Sequence, residues 1–114
     1  MTSKTKTKIT DYHKVQADII KALAHPVRIC IIECLAKDSV CVCDLADKTD
    51  CGISAVSKHL SILKNAGIIA TRRHKNNVYY FLKCACILDF LNCAGKVLKS
   101  CINQKMEAMR RVDN

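Results

Sequence analysis

Two cysteines separated by one residue, Cys41 and Cys43, are the sharpest chemical feature of this 114-residue chain. On a regular helix, residues i and i+2 point about 200° apart, so two thiolates placed there cannot share an ion. At the start of a helix they can. The segment CVCDLADKT puts Cys41 at the cap or pre-cap position, still extended, and Cys43 early in the first turn, so both sulfurs can converge on one soft centre. A helix N-terminus favours thiolate over thiol, and all-thiolate sites select soft ions, As(III), Sb(III), Cd(II), Pb(II) or Zn(II), over Mg(II) or Ca(II). Neither cysteine falls on a packing period, which favours ligation over burial.

The chain holds nine cysteines in all. Cys30 and Cys34 lie on the apolar stripe of a helix, where a free thiol packs as a small hydrophobe. Cys51 sits in a turn. Cys84, Cys86, Cys93 and Cys101 belong to the last helix, on which Cys86 and Cys93 share a face but lie about 10 Å apart, too far to hold one ion together. The expectation is a three-thiolate As(III)/Sb(III) site with Cys41 and Cys43 as core ligands and Cys84, Cys86 or Cys93 completing it. Cys93 and Cys101 suit apolar packing at a subunit interface equally well. An odd cysteine count, a polar and basic first ten residues, and only three Gly and one Pro argue against a disulfide-stapled secreted scaffold. Reduced thiols in a cytoplasmic protein are expected.

The elements that must position these groups follow from apolar spacing. A flexible basic arm is expected over residues 1–11, a sensor and DNA-binding domain over 12–105, and a polar, fraying tail over 106–114. Val15, Ile19 and Leu23 mark a first helix over 12–24. Pro26 opens a second over 26–37, with Val27, Cys30, Ile31, Cys34 and Leu35 on its buried face. Val42, Leu45 and Ala46 mark a short third helix. Ser54 is a good N-cap for a fourth, with Val56, Leu60 and Leu63 apolar and Gly67 closing it. Ile68–Thr71 and Val78–Leu82 are β-prone runs around a basic turn, Arg72 to Asn77. From Lys83 the helical period returns, with Ile87, Leu91, Ala94, Leu98 and Cys101 on one stripe and Cys86, Phe90, Cys93 and Val97 on the next. That double stripe is too wide for the edge of a small core and suits a partner subunit. The plan is mainly α with a β-hairpin: a winged helix-turn-helix.

Charge falls on one part of this plan. The chain has 19 Lys and Arg against 10 Asp and Glu, a formal charge of +9, and no acidic residue lies between Cys51 and Leu88. Solvated faces normally mix signs; a single-sign face carrying Ser and Asn points to nucleic acid. Ser54, Ala55, Ser57 and Lys58, in the first turn of the fourth helix, are placed to enter a major groove. Lys64 adds charge to that helix. Arg72, Arg73 and Lys75, taken as the hairpin tip, would reach phosphate or minor groove. His59 either holds a phosphate or is hydrogen-bonded at the edge of the core.

The stretch ISAVSKHLSILKNAGIIATRRHKNNVYYFL, with ALAHPVRICIIECLA and CVCDLA upstream, resembles the ArsR/SmtB family of dimeric metal-sensing transcriptional repressors over about residues 15–100. The resemblance implies a homodimer built through the first and last helices that binds double-stranded operator DNA and leaves it when an inducer binds. In the family's arsenic repressors a third Cys can follow the CVCDL motif, but Ala46 stands there. Cadmium and lead sensors recruit Cys from an N-terminal arm, and this chain has none before Cys30. The zinc pattern on the last helix needs Asp, His and Glu; only Asp89 fits, and no His follows His74. The inducer expected is therefore As(III) or Sb(III), with Cd(II) or Pb(II) as alternatives and no organic cofactor. A thiol redox or sulfur-species (persulfide/polysulfide) sensor is the rival on the same fold, an effector-free architectural DNA-binding protein a weaker one. An enzyme is not expected, since no His has a recognisable nucleophile partner, and no apolar run approaches the ~18 residues of a membrane span.

Overall fold

The computed structural model describes residues 8–112. The basic arm expected over 1–11 lies mostly outside them, and where it ends, Thr10 caps the first helix, α1 (Asp11–Leu23). His13 N–H donates to Thr10 Oγ1 at 3.4 Å and Thr10 N–H donates to His13 Nδ1 at 3.0 Å, a capping box with His in the place usually held by Glu or Gln. Only Ala22 and Leu23 of α1 are buried, leaving Tyr12, Val15 and Ile20 exposed.

Pro26 occupies the first turn of α2 (Pro26–Lys37), where its missing N–H costs nothing, and His25 Nδ1 accepts from Val27 N–H at 3.1 Å as the N-cap. The buried residues are Ile31, Ile32 and Leu35. The stripe is thus rotated toward Ile32 from the expected one, because α2 packs against three helices and a strand at once. Cys30 and Cys34 are consequently half-buried at its margin rather than in the core.

A two-residue strand, β1 (Val40–Cys41), follows and was not foreseen. It runs directly into α3 (Val42–Thr49), whose Leu45 and Ala46 are buried. Asp50, in the left-handed region at φ 54°, turns the chain toward α4 (Ile53–Asn65). The N-cap of α4 is Gly52, not the expected Ser54. The Gly52 carbonyl accepts the first helical bond, from Val56 N–H at 3.0 Å, which places Ser54 inside the first turn. At the other end Ile68 N–H reaches Leu63 O at 3.1 Å and Gly67 N–H reaches Lys64 O at 3.0 Å, a Schellman closure that needs Gly67 at φ 80°.

The hairpin is formed by β2 (Ile69–His74) and β3 (Asn77–Leu82), giving an antiparallel sheet in the order β1-β3-β2. Its two-residue tip is Lys75 and Asn76, so Arg72 and Arg73 are strand residues and not tip residues, a correction to the sequence reading. Seven side chains fill the centre: Ile31, Ile32, Leu45, Val56, Leu60, Leu63 and Ile69. Burying each stabilises the fold by about 1.5–3 kcal/mol relative to exposure.

The chain divides into two units, Met1–Lys83 and Cys84–Asn114. The second contains α5 (Cys86–Val112), 27 residues long, none of them buried. It continues through Met106–Val112, where a fraying tail was expected. Phe90, Val97, Leu98 and Ile102 are exposed on it. Among the described residues no helix is long and apolar enough to cross a membrane.

Candidate nucleic-acid interface and thiol sites

Burial of Val56, Leu60 and Leu63 fixes which face of α4 turns outward. Ser54, Ala55, Ser57, Lys58 and Lys64 are all exposed. Ile53, at the first helical position, is 53% exposed and was not among the residues singled out in the sequence. An apolar side chain at this end of a recognition helix suits contact with a thymine methyl. Ile53 continues the Val56, Leu60, Leu63 spacing, so periodicity alone does not reveal its exposure; it stands in the first turn of α4.

Pairing across the wing sorts its basic residues. Directly opposed residues of an antiparallel pair share a face, and successive residues alternate. Register pairs Arg72 with Tyr79, Ala70 with Phe81 and His74 with Asn77 on one face, and Arg73 with Val78 and Thr71 with Tyr80 on the other. Arg72 and Arg73 therefore point to opposite sides of the sheet. The first face carries a cleft of about 380 Å³ lined by Ser39, Arg72, His74, Tyr79 and Phe81. There the Arg72 guanidinium lies over the Phe81 ring, 5.1 Å from its centroid, a cation–π contact.

Cys41 belongs to this same face. It pairs with Tyr79, which pairs with Arg72, so one row of side chains crosses three strands from a thiol to a basic residue of the wing. Cys41 is also the N-cap of α3, extended at φ −84° and ψ 165°, and its side chain makes no capping hydrogen bond. Cys43 follows at the second helical position, exposed. The cap-plus-first-turn arrangement expected for this pair is thus the one observed. Ala46, at the position of the motif's additional Cys, is buried and packs.

The remaining candidate ligands, Cys84, Cys86 and Cys93, lie in the second unit and are exposed. Cys84 and Cys86 face each other across 2.7 Å between sulfurs, a hydrogen bond in which either thiol can donate. The Cys86 thiol and then the Cys86 backbone N–H hold Cys84 below the ordinary thiol value; the same thiol hydrogen bond pushes Cys86 up. Cys30 is pushed up, first by burial and then by its neighbours Cys34, Glu33 and Cys51. Cys51, a turn residue in the sequence reading, donates to Thr49 O at 3.4 Å. Among the described residues no three His, Cys, Asp or Glu side chains are gathered as a closed metal cage.

His59 takes the second of its two expected roles. Arg28 Nε donates to His59 Nδ1 at 3.1 Å, the His25 ring lies 4.4 Å away, and Arg28 also donates to the carbonyls of Lys21 and Ala22 at 3.3 and 3.2 Å. Partial burial, then His25, Arg28 and Lys58, push the His59 imidazole down, so it stays neutral and accepts from Arg28. Arg28 joins the end of α1 to the recognition helix α4, a role the sequence reading missed.

The profile of the family described as "Bacterial regulatory protein, arsR family" matches residues 25–71, from the cap of α2 into the wing. The transcriptional regulator Rv0081 of Mycobacterium tuberculosis is 33% identical over 99 residues, 85% of this chain and 86% of that one. Its crystal structure superposes with a TM-score of 0.77 at 31% identity, covering 86% of this chain and 99% of that one. A transcriptional repressor SmtB homologue of Synechocystis is 40% identical over 72 residues, 63% of this chain and 54% of that one. The cadmium resistance regulatory protein CadC of Listeria innocua is 30% identical over 91 residues, 78% of this chain and 76% of that one. Helix-turn-helix, wing and relatives agree: the chain is a DNA-binding transcriptional regulator and belongs to the arsR family.

Proposed function

We propose that this chain is a homodimeric repressor that leaves its operator when Cys41 and Cys43 close on a thiophilic inducer, As(III) or Sb(III). The observation that carries the reading is the position of Cys41, at once the last residue of β1 and the cap of α3. One thiol thereby touches both DNA-contacting elements: α3 packs on the recognition helix α4, and β1 is hydrogen-bonded to the wing strand β3. Drawing Cys41 and Cys43 onto one soft centre displaces the β1–α3 junction. The wing and α4 then lose their common spacing on the duplex. A coupling of about 1–3 kcal/mol per site corresponds to operator binding loosened about 5- to 150-fold. Exposed apolar residues on α1 and α5, among them Tyr12, Val15, Phe90 and Val97, supply the surface for a second copy. The dimer's two recognition helices match a two-fold operator.

The test is operator binding by the reduced protein, on a duplex selected from a random pool, with As(III), Sb(III), Cd(II), Pb(II), Zn(II), hydroperoxide or polysulfide added. Release by As(III) and Sb(III), abolished in Cys41→Ser and in Cys43→Ser, is the expected result. Unchanged binding, or a normal response in both variants, would contradict it. Cys84→Ser, Cys86→Ser and Cys93→Ser, run beside them, identify the third sulfur. A cadmium response is the second reading, favoured by the similarity to a regulator named for cadmium resistance.

A further inference from the structure

The sulfurs of Cys84 and Cys86, 2.7 Å apart, are closer than unbonded sulfurs normally sit and within an ångström of the ~2.05 Å disulfide bond. The pair straddles the start of α5. Cys84 precedes the helix, its carbonyl accepting from Ile87 N–H at 3.4 Å, while Cys86 is the first helical residue. Between them stands only Ala85. Both thiols are exposed, so a small reagent reaches either sulfur, unlike half-buried Cys30 and Cys34. Accessible thiols with a second thiol beside them are the ones that oxidise reversibly.

We propose that Cys84 and Cys86 form an oxidisable dithiol, a redox modification site separate from the Cys41 and Cys43 pair, that closes to a disulfide by exchange with a low-molecular-weight disulfide. The Cys84 thiolate attacks one sulfur of the reagent RSSR, forming a mixed disulfide and expelling RS⁻. Cys86 then gives up its proton and attacks the Cys84 sulfur, expelling the second RS⁻. Both leaving groups end as RSH. Two electrons pass from the protein thiols to RSSR, and the net change is two protein thiols plus RSSR to one protein disulfide plus two RSH. Cys84, outside the helix, is the attacking sulfur, and Cys86, at the first helical position and 2.7 Å away, is the resolving one. Closure takes both sulfurs out of soft-ion ligation and leaves Cys41 and Cys43 reduced.

The experiment is incubation of the full chain in buffers of graded reduced to oxidised glutathione, followed by alkylation, trypsin digestion and mass spectrometry. Cleavage after Lys83 and Lys96 releases peptide 84–96, which holds Cys84, Cys86 and Cys93. The expected product has lost two alkylations, retains one on Cys93, and is lighter by two hydrogens than the reduced peptide alkylated on Cys93 alone. It persists in Cys93→Ser and in a Cys41→Ser, Cys43→Ser double variant, and is lost in Cys84→Ser and in Cys86→Ser. Full alkylation of all three thiols in the most oxidising buffer would overturn the proposal. So would a disulfide that uses Cys93, one that joins two chains, or one that requires Cys41 or Cys43.

Discussion

The same spacing, Cys-x-Cys, occurs twice at a helix start in this chain and makes two different objects. At Cys41 and Cys43 the first thiol is locked into a three-stranded sheet and the following helix is pinned by buried Leu45 and Ala46. At Cys84 and Cys86 the helix that follows buries nothing, and the two sulfurs meet each other instead. Spacing alone therefore does not define a thiol site. The backbone on either side sets what a thiol is built into: Cys41 is shared by a sheet strand and a helix cap, whereas Cys84 and Cys86 stand at the start of a helix with no buried residue.

Removing the anchor of the first pair gives the largest effect. Leu45→Ala, at a position with 0% exposure, should destabilise the first unit by about 2–5 kcal/mol, read as a lower urea midpoint at unchanged slope. A loss under about 0.5 kcal/mol would mean α3 is not pinned and would dissolve the contrast. Gly67→Ala comes next, about 1–2 kcal/mol, because φ 80° is strained for an L side chain. A neutral result would show that the α4 closure relaxes.

On DNA, Arg72→Ala and Arg73→Ala should not behave alike, since the two side chains leave opposite faces of the wing. Whichever contacts phosphate should lower the slope of log affinity against log salt by about 0.9 on removal, the other by nearly nothing. Equal slopes would place both on the duplex and contradict the register. A smaller, pH-dependent effect tests the Arg28–His59 bond. His59 titrates below its ordinary value of 6.5 in the folded chain, so the unfolded chain binds the proton first as pH falls. The associated stability is complete above about pH 6.5, declines as pH drops through that value, and levels off below the folded value. Urea midpoints that rise on acidification across this range would contradict it, and Arg28→Ala should reduce the decline only in part, since burial and His25 are the larger causes of the shift. Smallest of all, Cys84→Ser and Cys86→Ser should shift stability by less than about 0.5 kcal/mol, as exposed positions on an unburied helix.

Much of this was legible in the sequence, for identifiable reasons. Pro26, Gly67 and the Val56, Leu60, Leu63 spacing set two helices and a cap without reference to the rest of the chain. Cys41 as a cap was readable because CVCDL combines a polar break with an apolar pair in the next turn. What escaped depended on distant partners. Strand β1 is two residues long and exists only by pairing with β3, some forty positions later. Arg72, Arg73 and His74 read as a turn, yet they continue β2, an edge strand, where charged side chains are tolerated and guard against further pairing. The Arg28–His59 bond joins residues 31 apart, beyond any local pattern.

The central claim is that the first pair, and not its twin in spacing, is coupled to DNA. Operator affinity measured with and without As(III) or Sb(III), in a Cys41→Ser, Cys43→Ser double variant and in a Cys84→Ser, Cys86→Ser double variant, tests it directly. The account predicts release of about 5- to 150-fold abolished in the first variant, and in the second a response at most weakened by loss of a third sulfur but not abolished. Release that survives loss of Cys41 and Cys43 but vanishes with Cys84 and Cys86 would contradict it.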